Sequence, residues 1–105
     1  MNRRDRIAEE LDQLAPAIPD TDRTLILDHA EDSSGLRKAG PARVAWLALV
    51  AFVRHSYTDY DALLSDGYDV ASARHYCIGQ INEVLEEWEC ERRLEEQEES
   101  ADDTA

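Results

Sequence analysis

The chain has 105 residues and a mass of 11.9 kDa, with 43% hydrophobic and 33% charged residues, which suits one small domain around a single core. Twenty-four Asp and Glu against eleven Lys and Arg leave a net charge of −13, which excludes a direct grip on nucleic-acid phosphate or anionic lipid unless a concentrated basic face overcomes that field. Four Gly and three Pro exclude collagen-like and Gly/Pro-rich low-complexity chains.

In chain order, the first expected helix covers residues 3–14, with Asn2 as its cap and Ile7, Leu11 and Leu14 at helical spacing. Pro16 and Pro19 break it. A second, shorter helix starts at Asp20 or Thr21, with Leu25, Ile26, His29 and Ala30 on one broad face, and Ser33-Ser34-Gly35 ends it. Gly40-Pro41 marks the next start, because Pro suits the first helical position. The third helix, over 41–55, carries Val44, Trp46, Leu47, Leu49, Val50, Phe52 and Val53 around most of its circumference. A helix apolar nearly all round is a buried one, so this is the expected central element.

Thr58 and Asp61 form a near match to a capping box and open a short helix to about residue 65, which Asp66-Gly67 stops. Asp69 caps the last helix, where Val70, Cys77, Ile81, Val84 and Trp88 repeat at near-heptad spacing and the apolar stripe ends at Trp88. No strand pattern is present. The expected fold is all-α: a compact bundle of about five helices around the third, with a charged C-terminal helix extension to about residue 96. Residues 1–96 form one domain, and 97–105 form an acidic tail expected to be disordered.

Arg3, Arg4 and Arg6 are followed by Glu9, Glu10 and Asp12 where a signal peptide would be apolar. The longest apolar run, 44–53, is about half of what a bilayer crossing needs. The expectation is a cytoplasmic protein with no membrane association. Cys77 and Cys90 fall in one expected helix, roughly 20 Å apart at about 1.5 Å per residue and on different faces, which excludes a bridge between them. Cys77 is expected in the core and Cys90 at the surface.

The densest polar and aromatic cluster is 54–61, at the junction of the third helix and the next. His55 with Asp59 or Asp61 has the makings of a proton-transfer pair, since a carboxylate orients an imidazole, and His55 and Asp61 with His29 or His75 are the residues from which a weak metal site could be assembled. A helix corner also needs hydrogen bonds of this kind, and the structural reading is favoured: His55 and Thr58 satisfy orphan backbone groups at helix ends while Tyr60 packs. No His-x3-His or Cys-x2-Cys spacing and no phosphate loop occur. Catalytic residues, cofactors and metals are therefore not expected. The one basic cluster, Arg37, Lys38 and Arg43, flanks Gly40-Pro41 and is expected to pair with the chain's own acids.

Residues 86–105 hold ten acids and two arginines, a net −8 that leaves −5 for residues 1–85. Glu83, Glu87, Glu91, Glu95 and Glu98 or Glu99 recur every three or four residues, so one continuous helix would present them as a rod of negative charge.

The run His55-x-x-Thr58-x-Tyr60-Asp61-x-Leu63-Leu64-x-x-Gly67-x-Asp69, followed by Ala73-Arg74 and Val84-Leu85-Glu86-Glu87-Trp88, resembles an uncharacterised prokaryotic family, domain of unknown function twenty-two ninety-three. The resemblance covers roughly residues 43–90, and residues 1–30 and the acidic tail have no counterpart in it. It implies a helical domain with no assigned reaction and no cofactor.

Two functions fit these observations. The first is a non-catalytic protein-interaction module whose acidic residues, Glu83, Glu87, Glu91, Glu95, Glu98 and Glu99, engage a protein with a basic surface, as an inhibitor of a nucleic-acid-handling protein does without touching nucleic acid. The second is a cell-encoded helical protein whose acidity is salt adaptation, with a small-molecule or weak metal site near His55 and Asp61.

Overall fold

The computed structural model describes residues 2–101, and for 99–101 the backbone alone. Six helices follow one another in it: α1 (Arg3–Leu14), α2 (Asp20–Asp32), α3 (Pro41–Tyr57), α4 (Tyr60–Ser65), α5 (Val70–Glu87) and α6 (Glu96–Ala101), with a 3-10 turn at Ser34–Leu36 and no strand among the described residues. The apolar girth of α3 decides how they are arranged. Val44, Ala45, Ala48, Leu49 and Val53 are fully buried, and α3 touches α1, α2, α4 and α5. The result is an all-helical compact domain with the third helix at its centre.

Local signals account for most of the ends. The Asn2 side chain accepts from the Asp5 N–H at 2.8 Å and caps α1. Arg3 donates to the carbonyls of Leu36 and Ala39, each at 2.9 Å, and so pins the turn that leads into α3. Asp69 accepts from the Ser72 N–H at 2.8 Å at the start of α5, and that bond holds its carboxyl below the usual carboxylate range. The cap is therefore intact above that range and is lost only as pH falls below it. The inward face of α2 differs from the expected one. Ile26, Leu27 and Ala30 are buried, whereas Leu25 and His29 are exposed. An i, i+1, i+4 arc gives α2 enough apolar contact without desolvating the imidazole.

The largest departure lies after Trp88. The helix does not continue to residue 96 but ends at Glu87. Glu89 takes a left-handed backbone with φ 62°, the Cys90 N–H donates to the Leu85 carbonyl at 2.9 Å, and the Glu89 N–H donates to the Glu86 carbonyl at 3.0 Å. This is a Schellman stop, built here without its customary glycine. The Trp88 carbonyl accepts from the Ala17 N–H at 3.1 Å, so the connection between α1 and α2 seals the same end.

Beyond the stop the chain turns back along α5 as a strap. The Asn82 side chain grips the Leu94 backbone on both sides: its amide nitrogen donates to the Leu94 carbonyl at 3.1 Å, and its oxygen accepts from the Leu94 N–H at 2.8 Å. Arg92 lies over the Trp46 ring, 3.9 Å from its centroid, and Glu98 accepts from both Trp46 Nε1 at 2.8 Å and Arg92 at 3.0 Å. Cys90 and Leu94 are only 2% and 4% exposed. Interior packing thus runs past Trp88, and Cys90 is a core residue, not a surface thiol. Both cysteines are free. Residues 97–101, expected to be disordered, belong to α6; residues 102–105 lie outside the described residues.

Two substitutions test the strap by chemical denaturation. Leu94→Ala should lower stability by about 2–3 kcal/mol, the scale of a buried Leu truncation. Glu89→Gly should raise it by up to about 1 kcal/mol, because glycine takes the left-handed conformation without a Cβ penalty.

Candidate functional site

The corner between α3 and α4 gathers the expected polar residues but divides their roles differently. Thr58 does not form a capping box with Asp61. Its hydroxyl donates to the Arg54 carbonyl and accepts from the Tyr60 N–H at 3.1 Å, so it closes α3 and starts α4 by itself. Asp61 is engaged elsewhere: His55 Nδ1 lies 2.9 Å from Asp61 Oδ1. His55 is 55% exposed, and its ring meets Tyr60 edge-on at 5.3 Å. The interior of the corner is held by Tyr60 and by Arg54, a buried guanidinium 5.6 Å from the Tyr60 centroid. Nothing in the sequence singles out Arg54, because an arginine near a helix end ordinarily reaches solvent.

His55 and Asp61 therefore form a surface pair, 55% and 64% exposed. Among the described residues, no group of three or more His, Cys, Asp or Glu stands close enough together to hold a metal ion. His75 is placed on α5, where it pairs with Glu96 at 2.8 Å. Arg43 shares an open cleft of about 550 Å³ with Arg6, Glu9 and Glu10, so opposite charges offset one another at the start of α3.

The acidic residues do not form the expected rod, because α5 ends before Glu91. Glu83 and Glu87 share a face of α5, and Glu91 and Glu95 lie on the strap; all four are exposed. Glu98 turns inward to Trp46 and Arg92, and the Glu99 side chain lies outside the described residues. The two arginines of this segment are directed at their own chain. Arg92 is on Trp46 and Glu98, while Arg93 reaches the Cys90 carbonyl and stands 3.7 Å from Glu86. No ion-pair partner meets Glu83, Glu87, Glu91 or Glu95 among the described residues.

Three further residues extend this face. Tyr68 and Tyr76 are 45% and 61% exposed and meet edge-to-face, with centroids 5.7 Å apart. Gly79 follows Tyr76 on the exposed side of α5, and Glu83 and Glu87 continue at i+7 and i+11 from Tyr76. A Cβ at Gly79 would meet nothing within 4 Å, so packing does not require the glycine, although inside a helix it costs about 0.5–1 kcal/mol relative to alanine. The signal that finds this set is the run of outward positions on α5, read in place of its apolar stripe.

No described helix is long and apolar enough to cross a membrane. A family model described as "Uncharacterized conserved protein (DUF2293)" matches residues 10–89. The match takes in part of α1 and all of α2, which makes it wider than the resemblance over 43–90, and it stops at the turn where the strap begins. No curated protein and no solved structure shows a match.

Urea denaturation will separate the two polar elements of the α3–α4 corner. Thr58→Val should cost about 1–2 kcal/mol, because it removes a hydroxyl that serves two backbone groups. His55→Gln should cost less than about 1 kcal/mol, the usual range for an exposed pair.

Proposed function

Because the chain belongs to the DUF2293 family of uncharacterized conserved proteins, a membership that carries no reaction, we propose its function from its surface: a non-catalytic interaction module whose acidic face engages the basic surface of a protein partner. A partner surface shaped to hold nucleic acid is one such surface, and occupying it would inhibit that partner by competition. The observation that carries this reading is how the arginines of this segment are used. Arg92 and Arg93 are taken up by contacts within their own chain, while Glu83, Glu87, Glu91 and Glu95 are exposed on an ordered helix and an anchored strap.

Acids this close repel one another, so their arrangement costs the isolated domain stability. At a basic partner the same field speeds encounter and sets orientation, and salt screens it. Acidity used only for hydration needs neither a fixed scaffold nor arginines engaged by their own chain.

An oligoarginine peptide serves as the probe, followed by fluorescence anisotropy. Binding should weaken steeply as salt rises from about 0.01 M, where the screening length is roughly 30 Å, to about 0.1 M, where it is roughly 10 Å. The variant Glu83→Gln/Glu87→Gln/Glu91→Gln/Glu95→Gln, folded by circular dichroism, should bind about tenfold or more weakly. Equal binding by this variant would overturn the reading, and a change in solubility and salt tolerance alone would assign the acids to hydration.

A further inference from the structure

An acidic surface by itself attracts any cation, lysine and arginine alike. The outward face of α5 carries more than charge. Tyr68 and Tyr76 form an exposed aromatic pair next to His75, whose ring lies 5.6 Å from that of Tyr76 and whose Nδ1 is tied to Glu96 on α6. Gly79 leaves a bare stretch of helix one turn further on, at a position where the fold has room for a side chain. Glu83 and Glu87 complete the line.

The chain already shows what such a combination holds. In the strap, a guanidinium lies over an aromatic ring while a carboxylate accepts from one of its nitrogens: Arg92 on Trp46, held by Glu98. On α5 the exposed Tyr76 and the carboxylates of Glu83 and Glu87 share one side of the helix, about two to three turns apart. A planar, weakly hydrated guanidinium stacks on an aromatic face and keeps donors for carboxylates, whereas an ammonium presents a compact, strongly hydrated charge.

We propose that Tyr68, Tyr76, Gly79, Glu83 and Glu87 form a docking stripe for an arginine-bearing segment of a protein partner. An arginine stacks on the tyrosine pair, its neighbours meet Glu83 and Glu87, and Gly79 admits the partner's backbone close to the helix. Charge complementarity selects this occupant. A second copy of the chain, itself at −13, would bring acids against acids. The proposal rests on the acidic-face reading and adds a preference that charge alone does not give.

Two probes of equal length and charge decide it, an oligoarginine and an oligolysine peptide, titrated calorimetrically into the full chain. The oligoarginine should bind about three- to fivefold more tightly, the scale of an exposed cation–π contact. Tyr68→Leu/Tyr76→Leu should erase the difference while leaving the salt dependence intact. Gly79→Ala should raise the melting temperature and still weaken oligoarginine binding severalfold. Equal affinity for the two peptides, with binding still lost in the four-Gln variant, would overturn the stripe and leave the acidic face standing. Discrimination that survives the tyrosine replacements, unchanged affinity in Gly79→Ala, or a dimer formed through this face in sedimentation equilibrium would also overturn the stripe. If neither peptide binds, the acidic-face reading falls and the stripe with it.

Discussion

One helix with almost no polar face governs how this molecule is built. α3 cannot show any side to water without exposing Val, Leu, Ala or Trp, so the remaining chain has to wrap it. α1, α2, α4 and α5 cover most of its surface. Trp46 is covered by the strap, which brings Arg92 over the indole and Glu98 to its N–H. Coverage extends to the end of α3: the buried Arg54 lies over Tyr60 where α3 gives way to α4, and Thr58 satisfies the backbone at that corner.

The same demand settles a local conflict at the end of α5. Helical continuation has the Glu89–Arg93 spacing in its favour, worth a few tenths of a kcal/mol. Reversal at Glu89 incurs roughly 1 kcal/mol for a left-handed, non-glycine residue. It also buries Cys90 and Leu94, and a Leu side chain alone contributes about 1.5–3 kcal/mol when removed from water. Burial outweighs the other two. It overrides the charge pattern, and the acids that would have formed a rod are distributed over a helix and a returning strap.

The legible and illegible parts of the sequence divide along this line. The apolar circumference of residues 44–53, the Pro and Gly punctuation and the side-chain caps at Asn2 and Asp69 are local signals, and each appears in the fold as read. The end of α5 depends on Trp46, far away in sequence, so no window around Glu89 reveals it. Thr58 is recognisable as a helix-end residue, but its partners are not, since one hydroxyl serving two helices looks in sequence like half of a capping box. At the surface, the glutamates stand out as a charge run. The tyrosine pair and Gly79 do not, because apolar periodicity directs attention to the buried side of α5.

The strap divides the molecule's order unequally. Its anchors among the described residues include the buried Cys90 and Leu94 side chains, the Asn82 grip on Leu94, the Trp46–Arg92–Glu98 contact, the Arg93–Glu86 pair and the His75–Glu96 pair. Residues 88–95 form no helix of their own, so this segment, without an internal ladder of backbone hydrogen bonds, is the one expected to open before the helices around α3 separate, exposing its amides to exchange and its peptide bonds to proteases below the global unfolding threshold. The two tryptophans sit on opposite sides of that divide. Trp46 loses its cover when the strap lifts, whereas Trp88 stays against Tyr57 at the sealed end of α5, 5.8 Å between ring centroids. The chain thus carries separate optical reporters for its local and its global transitions.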